Sequence, residues 1–170
     1  QEQLIVATQN GVCLFNPQTG ECQQLVKDSK EGRKIAMVAD VEVDNSGTLW
    51  IAATGEGIFS YRFDTNKLTN YRHDGTQAHS LSNNNVNNIM QDSKGNLWFS
   101  TSGSGLDLYR SATNDFENFD KGKNGLVSDC IYDTQESPVS GKLILITNQG
   151  FSIFDQKVEK FQNYSVENGF

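Results

Sequence analysis

The sequence predicts an all-β protein, a partial β-propeller of about four blades, each blade a four-stranded antiparallel sheet and the first lacking its innermost strand. Three observations carry this. Four copies of one unit align along the 170 residues, and Gly47 and Gly95, Trp50 and Trp98, and Gly57 and Gly105 are each 48 positions apart. Each full copy holds four short strand-like runs, and four strands in a period of about 40–50 residues is the pattern of a propeller blade. No segment sustains the i, i+3, i+4, i+7 apolar spacing of a helix over ten residues.

Composition agrees with many short strands joined by turns: Pro is scarce (2), while Gly (15) and Phe (10) are frequent. One domain's worth of chain is present, enough for a sizeable core. With 14 basic against 21 acidic residues the net charge is −7, and no Lys/Arg cluster occurs. That balance argues against a nucleic-acid or anionic-membrane surface. No apolar run approaches the roughly 20 residues that span a bilayer, so direct membrane insertion by this segment is not expected. The N-terminus shows no basic-then-apolar leader; a signal peptide is expected to have been removed or not included.

The third copy is the clearest. Its strand Val86–Gln91 runs into the turn Asp92-Ser93-Lys94-Gly95, followed by a strand over 96–101, a Gly/Ser elbow and a strand from Leu106. Asp at the first turn position accepts backbone N–H groups, and Gly at the fourth supplies the closing conformation. The second copy repeats this with VADVEVD, the turn Asp44-Asn45-Ser46-Gly47 and TLWIAATGEGIFSYRF. The fourth begins VSDCIYD, carries the apparent insertion TQESPVSG and continues KLILITNQGFSIF; the first starts directly at QLIVATQNGVCLF. Blades are expected at about 1–28, 35–74, 84–122 and 125–167. The chain stops at Gly169-Phe170, which matches Gly125-Leu126 just before an opening strand. The expectation is three complete blades plus three strands, forming either a piece of a longer propeller or an arc closed by a second copy.

Within this frame Asp44, Asp92 and Asp133 are expected to cap the turns after the opening strands. Trp50 and Trp98 are expected to fill the wedges between blades, with Ile5 and Ile144 doing so less fully. Gly11, Gly57, Gly105 and Gly150 mark strands that begin close to another backbone.

The residues Leu81-Ser82-x-Asn84-x-Val86-x-x-Ile89-x-x-Asp92-x-x-Gly95-x-Leu97-Trp98-x-x-Thr101-x-x-x-Gly105-Leu106 resemble the two-component regulator propeller repeat. The likeness is strong in the third copy, good in the second, and weaker in the first and fourth, which lack the Trp. It implies the extracytoplasmic, periplasmic sensor half of a hybrid two-component receptor of the kind common in gut Bacteroidetes. In that family two propellers and a small β-sandwich precede a membrane helix, a histidine kinase and often a DNA-binding response regulator. Many members sense glycan-derived oligosaccharides. The resemblance implies a homodimeric parent and an oligosaccharide ligand; the bare edges of an incomplete arc add the remaining blades or a second copy of this chain as partners.

Candidate site residues fall into two groups. Asp40, Asn88 and Asp129 take the same position in three successive opening strands on this alignment and would form a polar ring in the central channel. Arg72, His73 and Asp74 open the long connection over 72–79, and Glu56 lies in a neighbouring turn. Residues 102–104, 121–124 and 147–149 complete the irregular loops from which ligand discrimination is expected. The two His residues fall short of a zinc-site spacing, and no Gly-rich phosphate loop, HExxH, CxxC or GxSxG occurs. No catalytic residue, metal or cofactor is therefore assigned. A propeller hydrolase or lyase remains the less favoured alternative, beside a protein-interaction or assembly propeller.

Cys13, Cys22 and Cys130 make an odd number, so at least one is unpaired within the chain. If Phe63 and Leu68 bracket the loop DTNK, the same register in the first copy puts Pro17 opposite Cys22 and Cys13 opposite Val26. Cys13 and Cys22 would then be roughly 13 Å apart along the strand, beyond disulfide reach. No internal disulfide is expected.

Overall fold

Strands dominate because the apolar runs are short, β-rich and punctuated by residues that favour turns. A computed structural model describes residues 3–25 and 35–166; Val26, Gly169-Phe170 and the expected blade limits at 28 and 167 lie outside the described residues. The first sheet comprises β1 (Leu4–Thr8), β2 (Gly11–Phe15) and β3 (Cys22–Gln24). The second comprises β4 (Val38–Val43), β5 (Thr48–Ala53), β6 (Gly57–Arg62) and β7 (Lys67–Tyr71). The third holds β8 (Val86–Gln91), β9 (Leu97–Thr101), β10 (Leu106–Arg110) and β11 (Asp115–Phe119). After a short helix α1 (Lys121–Asn124), the fourth holds β12 (Ile131–Glu136), β13 (Leu143–Thr147), β14 (Gly150–Asp155) and β15 (Lys160–Tyr164). Each sheet is an antiparallel meander in chain order, as expected for propeller blades.

The core lies between sheets. Trp50 packs with Ile89, Leu97, Phe99 and Phe116 between the second and third blades, and Trp98 with Leu126, Leu143, Leu145 and Phe154 between the third and fourth. Val12, Ile35, Leu49, Ile51 and Phe59 fill the first wedge, with Ile5 packed alongside. Both indoles are nearly enclosed, at 3% exposure. Each is oriented by the preceding turn: the Trp50 N–H donates to Asp44 Oδ2 at 2.8 Å and that of Trp98 to Asp92 Oδ2 at 2.9 Å. The other oxygen of each Asp accepts N–H groups of its own turn. Gly57 and Gly105 sit at positive φ, 82° and 83°, where a Cβ would collide with the carbonyl oxygens of Tyr71 and Phe119. Both glycines are therefore obligatory.

Three expectations need correction. Asp133 does not cap a turn. β12 shifts register between Ile131 and Asp133 just as β4 does between Val38 and Asp40, and β8 between Val86 and Asn88. Asp133 thus occupies the Asp40 and Asn88 position, and the turn role passes to Ser137, which accepts the Gly141 N–H on its carbonyl as Asp44 accepts that of Gly47. Asp129, expected in the ring, stands before β12 on the connection between blades.

The second correction follows from the first. The apparent insertion TQESPVSG opens with the last three residues of β12, Thr134–Glu136, and the turn Ser137–Gly141 that follows is only one residue longer than Asp44–Gly47 and Asp92–Gly95.

The third concerns cysteine. The outer hairpins pair Arg62 with Lys67, Arg110 with Asp115 and Asp155 with Lys160. The fourth loop residue is Asn66, Asn114 or Glu159, each at positive φ, and Gly20 takes that place in the first blade. The loop is therefore FDTN and not DTNK, which moves the pairing by two residues. Gln24 faces Cys13, and Cys22 lies one diagonal away with a Cα–Cα separation of 5.8 Å, joined to Cys13 by a disulfide. Cys130 is free. Alkylation of the unreduced chain is predicted to add one label by mass spectrometry, and three after reduction. Closing so short a loop contributes about 2–3 kcal/mol, so reduction should also lower the unfolding midpoint; three labels without reduction would contradict the pairing.

Candidate functional site

Meandering sheets sort the loops onto two faces. Turns between second and third strands share one face with the connections between blades, and the remaining turns lie on the other. Residues 55–56, 102–104 and 147–149 therefore meet the connections over 72–85 and 120–130. The Arg72 guanidinium donates to the carbonyls of Gly55 and Glu56 at 3.1 and 3.3 Å and lies 3.8 Å from the Glu56 carboxylate. The N–H groups of Gly103 and Gly105 both donate to the Asp129 carbonyl. Lys121 Nζ donates to Gln149 at 3.3 Å.

A cleft of about 350 Å³ opens on this face, lined by His73, Gln77, Ser80 and Ser82 from one connection, Ser104 and Asn118 from the third blade, and Asp120, Lys123 and Asp129 from the next connection. His73 Nδ1 lies 2.9 Å from the Leu81 carbonyl. A carbonyl only accepts, so Nδ1 carries the proton and Nε2 is the acceptor of the neutral ring. Asp129 Oδ1 accepts the Lys121 N–H at 2.6 Å, and Asp120 caps α1 through the Lys123 N–H at 2.7 Å. Among the described residues no Trp, Tyr or Phe lines the cleft, so recognition there works by hydrogen bonds to hydroxyl, amide and charged groups.

Behind this wall lies Asp107, fully buried on β10. It accepts the N–H of Ser82 at 3.0 Å, the Ser82 hydroxyl at 2.7 Å and Asn118 Nδ2 at 3.1 Å. Burial nevertheless raises its pKa from 3.8 to about 6, because those donors do not fully replace water.

The expected site residues divide between these places. His73 and Asp129 meet in the cleft. Arg72 and Glu56 lie beside it, and Asp74 spends its carboxylate on its own loop. Oδ1 of Asp74 takes the Thr76 N–H and hydroxyl and Oδ2 takes Gln77, holding its pKa below the usual range through the Thr76 donors first. Asp40 and Asn88 do not form an open ring; they bridge blades. Asp40 Oδ2 accepts the Ile89 N–H at 2.8 Å and Asn88 Nδ2 at 3.2 Å, and Asn88 Oδ1 accepts the Thr134 N–H at 3.1 Å. Burial raises the Asp40 pKa despite these donors. Asp107, Ser82 and Asn118 escaped the sequence reading; the only signal was a carboxylate inside the apolar strand Leu106–Arg110.

With the geometry in view, the class is a β-propeller arc carrying a polar cleft on its loop face. Residues 80–103 match the family model for the two component regulator propeller, the repeat that also supplies Ser80 and Ser82 to the cleft. No curated protein matches the chain. Among solved structures, the extracellular domain of the hybrid two component system BT3049 from B. thetaiotaomicron is 21% identical with a TM-score of 0.81, over 95% of this chain and 23% of that one. The corresponding domain of BT4673 is 18% identical with a TM-score of 0.50, over 95% of this chain and 28% of that one. A gluconolactonase from Xanthomonas campestris is 13% identical with a TM-score of 0.67, over 96% of this chain and 58% of that one. These likenesses establish the fold, and the chain spans about a quarter of the two B. thetaiotaomicron domains.

Asp107 generates a pH prediction. Its folded pKa is raised above the unfolded value, so its contribution to stability is complete below about pH 4 and is lost as pH rises through about 6, on the order of 2–3 kcal/mol. Urea unfolding at pH 4 and 7 should show that fall, and Asp107→Asn should remove most of it. An unchanged pH slope in the variant would refute the assignment.

Proposed function

We propose that this chain is part of the extracytoplasmic, periplasmic sensor propeller of a hybrid two-component receptor, and that its loop face takes a hydroxyl-rich ligand such as a glycan-derived oligosaccharide. The observation that carries this reading is the two component regulator propeller repeat at 80–103, which lies on the segment that walls the cleft. The Cys13–Cys22 disulfide supports an oxidising, exported location. The cleft's mixture of serine, amide, histidine and carboxylate groups suits a ligand that both donates and accepts hydrogen bonds.

In this reading the parent receptor is a homodimer. Ligand biases how its propeller-bearing halves pack, and membrane helices pass that bias to the kinase, a change in which two states must differ in ligand affinity. The segment itself is a binding module: the carboxylates of Asp120 and Asp129 are engaged in holding α1 and its approach.

Calorimetric titration of the chain with oligosaccharide pools tests this directly. Binding is expected, with His73→Ala and Lys123→Ala each weakening it about tenfold, the value of about 1.4 kcal/mol. Absence of binding, or binding indifferent to both substitutions, would remove the cleft as the site; turnover of a bound sugar or lactone would favour an enzyme.

A further inference from the structure

Successive blades are joined by a contact that recurs at fixed register. The Asp40 side chain of the second blade accepts the N–H of Ile89 in the third, and Asn88 of the third accepts the N–H of Thr134 in the fourth. In each case the donor is the residue after the equivalent position in the next inner strand. Asp133 is the next member of this series. Among the described residues its carboxylate takes only the Gln135 side chain, at 3.2 Å.

The surface around Asp133 continues the pattern. Leu143, Leu145 and Phe154 point into the wedge shared with Trp98. Their alternates Ile144, Ile146 and Ile153 therefore face away from the third blade. Ile144 pairs with Ile153 as Trp98 pairs with Leu108, so it takes the wedge-filling place of the two tryptophans. Ile146 is 42% exposed and Tyr132, beside Asp133, 54%.

We propose that this face docks a further blade of the same repeat in the same polypeptide. Asp133 sets its register by accepting the backbone N–H of the residue after the Asp40-equivalent position in that blade's inner strand. The inference rests on the propeller geometry and is independent of the sensor reading. A second copy seated head to tail fits less well: among the described residues its first sheet has no inner strand, and so offers Asp133 no such N–H. The other recurring contact from a side chain to the backbone of a neighbouring blade does not carry over. Gln91 accepts the Asn45 N–H and Glu136 the Ser93 N–H, whereas the next turn has Pro138 in that place, without an N–H. Asp133 is left as the contact that fixes register.

The coding sequence beyond Phe170 is read first, and the chain is expressed with the next repeat of about 48 residues. In the extended chain Asp133→Ala should lower the thermal midpoint by about 3–6 °C, while Asp133→Asn, which restores the Asn88 chemistry, should lower it by under about 1 °C. In the 170-residue chain Asp133→Ala should have little effect. Equal shifts in the two lengths, an extended chain that leaves the Ile144 face as exposed to hydrogen exchange as before or does not fold, or a downstream sequence without a blade would overturn the proposal. So would a dimer of the unextended chain abolished by Ile144→Lys, which would assign the face to a second copy.

Discussion

The bond between a turn carboxylate and an indole is the constraint on which the blades depend. Asp92 is only 2% exposed, and a buried carboxylate is tolerable only when its oxygens are satisfied. It receives the N–H groups of Lys94 and Asn96, the Asn96 amide and the Trp98 indole. Burial alone would raise its pKa, but these donors outweigh burial and leave it below the usual value; the same balance holds at Asp44. One side chain thus closes the hairpin and fixes the plate that fills the wedge. Where the plate changes, the carboxylate changes with it: the fourth blade has Ile144 in place of Trp and Ser137 in place of Asp.

Wedge filling alone would permit neighbouring sheets to slide, because apolar contacts carry little directional information. Polar bridges at the inner strands supply the register. Asp40 and Asn88 tie side chain to backbone across successive wedges, and Gln91 and Glu136 do the same from the opposite face. The loop face is free of this duty, so its connections can differ between blades. Over 72–85 the chain spends Asp74 and Ser80 on internal turns and passes Ser82 to Asp107. That arrangement leaves His73 and the serine edges around a polar cleft.

Much of this was legible in the sequence. The turn signal Asp-x-x-Gly, the 48-residue offset and the paired tryptophans defined the blades, because each has a local physical cause. The errors arose where a register depends on a backbone conformation that residue type only hints at. Placing Gly20 or Asn66 at positive φ as the fourth loop residue would have put Cys13 one diagonal from Cys22. Aligning Ile131, and not Val127, with Val86 would have moved the inner position from Asp129 to Asp133. Within the site, the loops that share a face followed from topology, whereas Asp107 lies in an apolar strand whose partner, Ser82, is 25 residues away.

A double-mutant cycle on Asp92 and Trp98 tests the central claim most directly. Asp92→Ala, Trp98→Phe and the double variant are compared by urea unfolding, since Phe keeps most of the plate and removes only the indole N–H. The clamp predicts a coupling energy of at least about 1 kcal/mol, because the hydrogen bond is to a buried charge. Additive losses would mean that the turn and the wedge are independent, and that the blade is held by packing alone.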